Sequence, residues 1–220
     1  MTQRTFLEFF AGGGMARLGL GPEWRCLFAN DRDPRKCAAY RANFGGAGLR
    51  EADVAVLAAA DFPAARADLA WASFPCQDIS LAGARAGLSG ERSGAFFHFW
   101  SAIEALAAEG RAPRALVIEN VTGLLTSKGG ADFLEIVAAL VGAGYRVSAL
   151  VLNASSFTPQ SRARLFVFGL GPDCAPRFCA RPEASDATPR ALLNAVDELP
   201  SECAWAWRWL PQRPRSRRNT

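Results

Sequence analysis

Pro75-Cys76-Gln77-Asp78 follow an apolar run, Leu69 to Phe74, that has the character of a buried strand ending in a turn. A cysteine there is held at the carboxyl edge of a sheet, where open α/β proteins put their reacting groups. Glu119-Asn120 closes a second such run, Ala115 to Ile118. A thiol and a carboxyl group on two neighbouring strand ends are the parts needed to attack a ring and protonate it. The thiolate is a strong nucleophile that also leaves readily. A partly desolvated carboxyl group holds a proton it can deliver.

The elements that must position these groups alternate along the chain. Thr5 to Phe10 reads as a strand that breaks into Ala11-Gly12-Gly13-Gly14, and Met15 to Leu20 as the start of a helix. A second strand, Trp24 to Ala29, ends at Asn30-Asp31. Pro34 to Phe44 carries apolar residues on a rough 3.6-residue period and stops at Gly45-Gly46. Ala55 to Ala60 reads as a brief helix, Asp68 to Ser73 as a strand, and Leu81 to Gly94 as a mobile loop. A helix over Phe96 to Glu109, a strand over Arg114 to Ile118 and a helix over Phe133 to Val141 follow. Val147 to Leu152 and Leu165 to Gly169 read as an antiparallel pair. Strand and helix in alternation, with a late hairpin, predict an α/β fold with a doubly wound, mostly parallel sheet. From Gly171 onward prolines at 172, 176, 182, 189, 200, 211 and 214 interrupt the pattern, leaving one short helix over Ala191 to Leu199. The expected organisation is a domain over 1–170 and an irregular linker, or the start of a further region, over 171–220.

Composition narrows the classes. A chain of 220 residues, 50% of them hydrophobic, can bury one sizeable core. No apolar run reaches the ~18 residues of a membrane span, and Met1-Thr2-Gln3-Arg4 leads directly into a strand, so a cytoplasmic protein without a membrane partner is expected. The six cysteines form no CxxC pair and there is a single histidine, His98, so no metal site is expected. His98 and the aromatics of the Phe96 to Trp100 cluster read as core. The net charge of +4 is modest, and the arginines from Arg208 to Arg218 read as a solvated end.

A strand, a glycine-rich turn and a helix form the general cradle for a nucleotide-like ligand. Gly12-x-Gly14 is followed by Arg17 where a dinucleotide fingerprint needs a third glycine, and no Lys-Ser/Thr pair follows, so nicotinamide and P-loop readings fail. Asp31, about 20 residues past the loop, sits where an acid accepts ribose hydroxyls, and Asp53 sits where one could accept from an adenine amino group. A helix cap for Asp31 and a turn for Asp53 are the plain alternatives.

These motifs together resemble the cytosine-C5 DNA methyltransferases. Phe10-Ala11-Gly12-x-Gly14, Asn30-Asp31-x-Asp33, Phe74-Pro75-Cys76-Gln77-Asp78-Ile79-Ser80, Arg92-Ser93-Gly94, Glu119-Asn120-Val121 and Gln160-Ser161-Arg162-Ala163-Arg164 occur in order over residues 4 to 170. The resemblance implies a Rossmann-like class I methyltransferase fold and S-adenosylmethionine as cofactor. It implies that Phe10 stacks on the adenine, Asp31 holds the ribose and Asp53 the amino group. Ala11, Gly12, Gly14, Met15, Arg32, Val54 and Pro75 complete the implied cofactor site. Cys76 is implied as nucleophile, adding covalently to a cytosine flipped out of double-stranded DNA. Glu119 is implied as the acid, with Arg162 and Arg164 on the catalytic side. Gln77, Ser80, Arg92, Asn120 and Gln160 are implied on the DNA side. Two departures stand out: Asp31-Arg32 replaces an acid followed by an aromatic residue, which leaves Arg32 to stack there, and Ala95 replaces a common leucine.

The motif set stops near Gly169, without the target-recognition region, the Arg-Glu motif or the Gly-Asn-Ser motif of the family. The expectation is a truncated gene, a degenerate remnant, or one subunit of a split enzyme whose second chain carries those parts. A tRNA cytosine-C5 methyltransferase and an inactive nucleic-acid-binding remnant are the alternative functions.

Overall fold

The computed structural model describes residues 3–75, 94–174, 181–200 and 205. It divides into two compact units, Met1–Glu119 and Asn120–Thr220.

In the first unit, strand β1 (Arg4–Phe9) leads through the glycine loop into helix α1 (Met15–Leu20) and strand β2 (Trp24–Asp31). Helix α2 (Pro34–Phe44) and strand β3 (Leu49–Glu51) follow. Two 3-10 turns, Val54–Val56 and Ala59–Asp61, stand where the sequence suggests one brief helix. Asp53 and Asp61 explain the difference, because each carboxylate accepts from a backbone amide, Ala55 N–H at 3.0 Å and Ala58 N–H at 3.0 Å, and fixes a separate turn. Strand β4 (Leu69–Ala72), helix α3 (Ala95–Ala108) and strand β5 (Ala115–Val121) complete the unit. Strand β5 runs on through Glu119 and Asn120 rather than ending at Ile118, so the acid sits within a strand. Residues 81–93 of the expected loop lie outside the described residues.

Pairing is parallel throughout this unit, in the order β3-β2-β1-β4-β5. The chain therefore builds outward from β1 to β3, then returns to β4 on the other side of β1. Parallel crossovers are as a rule right-handed, so building outward in both directions brings helices to both faces of such a sheet, and the reversal opens a crevice at the carboxyl ends of β1 and β4. This is the doubly wound sheet expected. Phe9 anchors its core, with ring centroids 5.0 Å from Phe99, 5.7 Å from Phe62 and 5.8 Å from Phe28.

In the second unit, strands β6 (Arg146–Asn153) and β7 (Ala163–Leu170) form the expected antiparallel pair, with Asn153 opposite Ala163. Helix α4 (Ala131–Gly142) buries Phe133, Ile136, Val137 and Leu140. Helix α5 (Arg190–Asp197) lies in the proline-rich stretch and buries Leu192 and Leu193. Pro189 stands at its N-cap, where the missing N–H costs nothing. The segment before α5 is tied to the hairpin by Val151 N–H, which donates to Ala187 O at 2.8 Å. Among the described residues no helix is long and apolar enough to cross a membrane.

One buried group was not legible in the sequence. Glu8 points inward from β1 with 1% of its surface exposed. Its Oε1 accepts from the Arg17 N–H of α1 at 3.3 Å, and its Oε2 has no partner among the described residues. Arg17 donates to Tyr40 Oη at 3.0 Å and lies 4.7 Å over the Phe44 ring. Burial pushes the Glu8 carboxyl up to about 7, against the opposing pull of the Arg17 amide and guanidinium. A carboxyl group raised from 4.5 binds more protons in the folded chain than in the unfolded one. Its stabilising contribution is thus complete below pH 4.5 and is lost as pH rises through about 7. Glu8→Gln should flatten the fall in urea-unfolding free energy across that window, on the order of 3 kcal/mol in the wild type. An unchanged slope would show that Glu8 is not the group responsible.

Candidate active site and cofactor cleft

The crevice at the switch point is a cleft of about 430 Å³, within the size range of small-molecule sites. Phe10 at the end of β1, Asn30 to Asp33 at the end of β2, Ala52 to Ala55 after β3, Ser73 and Pro75 after β4, and Gly94, Ala95 and His98 of α3 line it. Five chain segments thus converge on one space, all from the first unit.

Asp31 organises the floor. It is buried, and its two oxygens accept from different partners: Gly12 N–H at 2.9 Å and Asp33 N–H at 2.9 Å. One carboxylate therefore holds the glycine loop against the start of α2. A carboxylate offers about four acceptor sites, so two remain for hydroxyl donors. The cap of α2 is Asp33, whose Oδ1 accepts from Arg35 and Lys36 N–H, so the cap reading suggested for Asp31 belongs two residues later. Those amides hold the Asp33 carboxyl below its ordinary range.

The loop itself needs unusual backbone. Phe10 sits at φ 56°, left-handed for a residue with a large side chain, and its peptide is fixed by Ala11 N–H, which donates to Asn30 O at 2.8 Å. Such conformations cost on the order of 1–3 kcal/mol and cluster at functional sites. Gly14 sits at φ 86°, and a Cβ there would run into the Phe44 ring.

Asp53 caps the Val54–Val56 turn and pairs with Arg32, Nη1 to Oδ2 at 3.0 Å. The Ala55 amide first, then Arg32, hold its carboxyl below the usual carboxylate range. The turn reading of Asp53 and its place in the cleft are therefore both realised.

Of the sequence-derived cofactor residues, the cleft brings together Phe10, Asp31, Arg32, Asp53, Val54 and Pro75. Ala11, Gly12, Gly14 and Met15 do not line it; Ala11 is buried behind it and Met15 is 73% exposed on α1. Sequence reasoning left out Asn30, whose amide donates to Ala52 O at 2.7 Å, and also Lys36, Ser73 and His98. His98 corrects an expectation: it stands within an aromatic cluster expected as core, yet it is half-buried on the cleft wall. Its helix buries Phe97 and Phe99 to either side, and the 3.6-residue turn carries position 98 to a different face.

Cys76, Gln77, Ser80 and Arg92 lie outside the described residues. The flanking strands are informative. Ala72 of β4 pairs with Ile118 of β5, so Pro75 and Glu119 follow from the same ends of adjacent strands. Glu119 is half-buried. Asn120 is buried, and its Oδ1 accepts from Val121 N–H at 2.8 Å. In the second unit, Gln160 and Arg162 are exposed in the hairpin loop and Arg164 is half-buried on β7. Asn153 shapes that loop: its Oδ1 accepts from Arg162 N–H at 2.8 Å and Ser155 N–H at 3.0 Å. Among the described residues no group of three His, Cys, Asp or Glu side chains could hold a metal ion.

The model of C-5 cytosine-specific DNA methylases matches residues 4–206, well past Gly169, where the short motifs end. Type II methyltransferase M.BsuFI of Bacillus subtilis is 33% identical over 196 residues, which are 88% of this chain and 46% of that protein. Type II methyltransferase M.HpaII of Haemophilus parainfluenzae is 31% identical over 186 residues, 83% of this chain and 50% of that one. Among solved structures, S. pombe Dnmt2 methyltransferase is similar with a TM-score of 0.62 at 25% identity, covering 78% of this chain and 52% of that chain. The Entamoeba histolytica methyltransferase EhMeth, at 18% identity and a TM-score of 0.59, shares the fold over 84% of this chain and 58% of that one. The chain spans about half the length of the curated relatives it matches.

Asp31→Ala would leave the Gly12 and Asp33 amides unpaired, and should lower the urea-unfolding free energy by about 2 kcal/mol. Asp31→Asn, which keeps one acceptor oxygen, should lose about half as much. Equal stability of both variants and wild type would remove Asp31 from its organising role.

Proposed function

We propose that this chain, which belongs to the C-5 cytosine-specific DNA methylase family, binds S-adenosylmethionine in its cleft and carries the nucleophile and acid for methylation of cytosine carbon 5 in DNA. The observation that carries this reading is the β4–β5 pairing, because Pro75 borders the cleft while the neighbouring strand bears Glu119. The cleft fits the cofactor. It has an aromatic ring in Phe10, an acid in Asp31 with acceptor sites for a diol, and a second acid in Asp53 for an amino group. Family members use S-adenosylmethionine, which supplies an electrophilic methyl group when bound.

The chain's own residues do the rest in this reading. The target cytosine leaves the duplex, because its ring is unreachable inside the stack. Cys76 Sγ, as thiolate, bonds to carbon 6 of the ring. Glu119 gives its proton to ring nitrogen 3 as charge builds there, so carbon 5 becomes enamine-like. Once carbon 5 bears the methyl group that the bound cofactor would give up from its sulfonium sulfur, loss of the carbon-5 proton lets the Sγ–carbon 6 bond break, the proton on nitrogen 3 returns to Glu119, and the aromatic ring is restored. Dividing the reaction this way lowers each barrier. Arg162 and Arg164 act on the extruded nucleotide, and Gln77, Ser80, Arg92 and Gln160 on the DNA, whereas Asn120, expected on the DNA side, is buried and braces the backbone after Glu119. Residues 1–170 form the cofactor-binding catalytic part, and residues 171–220 lead toward a recognition region.

Cys76→Ala should abolish both tritiated methyl transfer and covalent trapping on 5-fluorocytosine DNA. Glu119→Gln should lower transfer by about 10²-fold or more. Trapping that survives Cys76→Ala would sink the assignment. The reading includes a second chain that supplies target recognition. With a chain carrying the family's remaining motifs, transfer to duplex DNA should rise well above that of this chain alone, and a tRNA substrate should stay unmethylated. No transfer to DNA with such a partner present would overturn it.

A further inference from the structure

The turn of the β6–β7 hairpin displays what the rest of the described chain hides. Phe157 is 69% exposed, and it carries the one exposed aromatic ring among the described residues. Phe166 and Phe168, on β7 of the same hairpin, are half-buried. The whole run from Phe157 to Arg162 stands at the surface. Its backbone is nevertheless held. Ala154 O accepts from Phe157 N–H and Thr158 N–H, each at 2.8 Å, and from Thr158 Oγ1 at 3.2 Å. Ala154 N–H donates to Arg162 O at 3.0 Å and closes the neck of the turn. Asn153 Nδ2 donates to Ser161 Oγ at 3.3 Å. A backbone fixed in this way gives up little freedom when a partner meets it.

The charge around the ring has one sign. From Ile136 to Pro172 the chain carries Arg146, Arg162 and Arg164 and no acid. Thr158, Gln160 and Ser161 add exposed hydroxyl and amide groups. Arginine, small polar donors and an exposed ring together suit a polyanion that also presents flat apolar faces. Phosphates take the arginines. The ring needs a base face, and paired DNA keeps its faces stacked. A strand opened by extrusion of a base offers one.

We propose that the turn of β6–β7 is a nucleic-acid contact in which the Phe157 ring stacks on an unpaired base while Arg162 holds an adjoining phosphate. The inference rests on the DNA reading above and adds an apolar contact that arginines and amides do not supply. Every base has a π face, so the contact adds affinity without reading sequence. It engages a strand whose stack is broken, so it favours the opened state of the DNA over the paired one.

Fluorescence anisotropy of the full chain with a labelled oligodeoxycytidine of about 12 nucleotides, and with an abasic strand of the same length and charge, tests this. The wild type should bind the base-bearing strand about tenfold more tightly. Arginines elsewhere, including Arg208 to Arg218, act on both strands alike, so the ratio is the readout. Phe157→Ala should lose the preference and keep its affinity for the abasic strand. Phe157→Trp should retain the preference, and Phe157→Leu, apolar but without a π face, should lose most of it. Arg162→Gln should weaken both strands and lower the slope of log affinity against log salt by about 0.7. Circular dichroism confirms the fold of each variant. A Phe157→Ala chain with the wild-type preference would overturn the inference. So would one whose only loss is affinity for a chain carrying the family's remaining motifs, because the ring would then be a protein contact. Trapping on 5-fluorocytosine DNA through Cys76 reads the parent proposal separately. Intact trapping with no effect of Phe157 removes this inference alone, whereas a folded wild type that neither traps nor binds either strand removes both.

Discussion

The two amides held by Asp31 are the constraint on which the cleft depends. A glycine loop has little side-chain packing to hold its shape, and the short α1 buries no residue of its own. Something outside the loop must fix it. Asp31 does so from the end of β2, through Gly12, and fixes the start of α2 through Asp33 with its other oxygen. Because the carboxylate is buried, these charge-assisted bonds face little competition from water. The same position on the crevice floor leaves acceptor capacity for a ligand. Structural and functional readings of this acid are thus one arrangement.

Glu8 does a parallel task behind the loop. It meets the first turn of α1 from below, while Arg17 of that helix stacks on Phe44 and reaches Tyr40. Strand β1, α1 and α2 are joined by this cluster, and the glycine loop is held from two sides. The cluster places a desolvated acid beneath the loop without a full set of partners. A half-satisfied buried polar group is costly, and here it sits where the loop geometry is most demanding.

Phe10, Asp31 and Pro75 were legible in the sequence because each stands where an apolar run gives way to a turn, whereas Glu119, expected at a strand end, sits within β5. The doubly wound order was legible from alternation alone. His98 was not, because it stands within an aromatic cluster whose neighbours are core, and only the helical phase separates it from them. Glu8 was hidden by the strand pattern around it, in which an isolated acid reads as the solvent side. Asp33 took the cap that Asp31 could have taken, a distinction two residues wide that depends on where α2 begins. The helix in the proline-rich stretch was legible because Leu192 and Leu193 fall between breakers rather than on them.

Phe10 carries a consequence for how this cleft can change. Its ring is carried on a left-handed peptide, so the backbone distortion and the aromatic face come together at one residue. Asparagine or glycine would adopt that peptide more easily but would remove the face, whereas valine or isoleucine would find it prohibitive. Drift at this site is therefore confined to other aromatics that bear the same distortion. Adapting the crevice to a different flat ligand is left to the opposite wall, where Ala95 and His98 stand on ordinary helical ground beyond Gly94, itself at φ 144°.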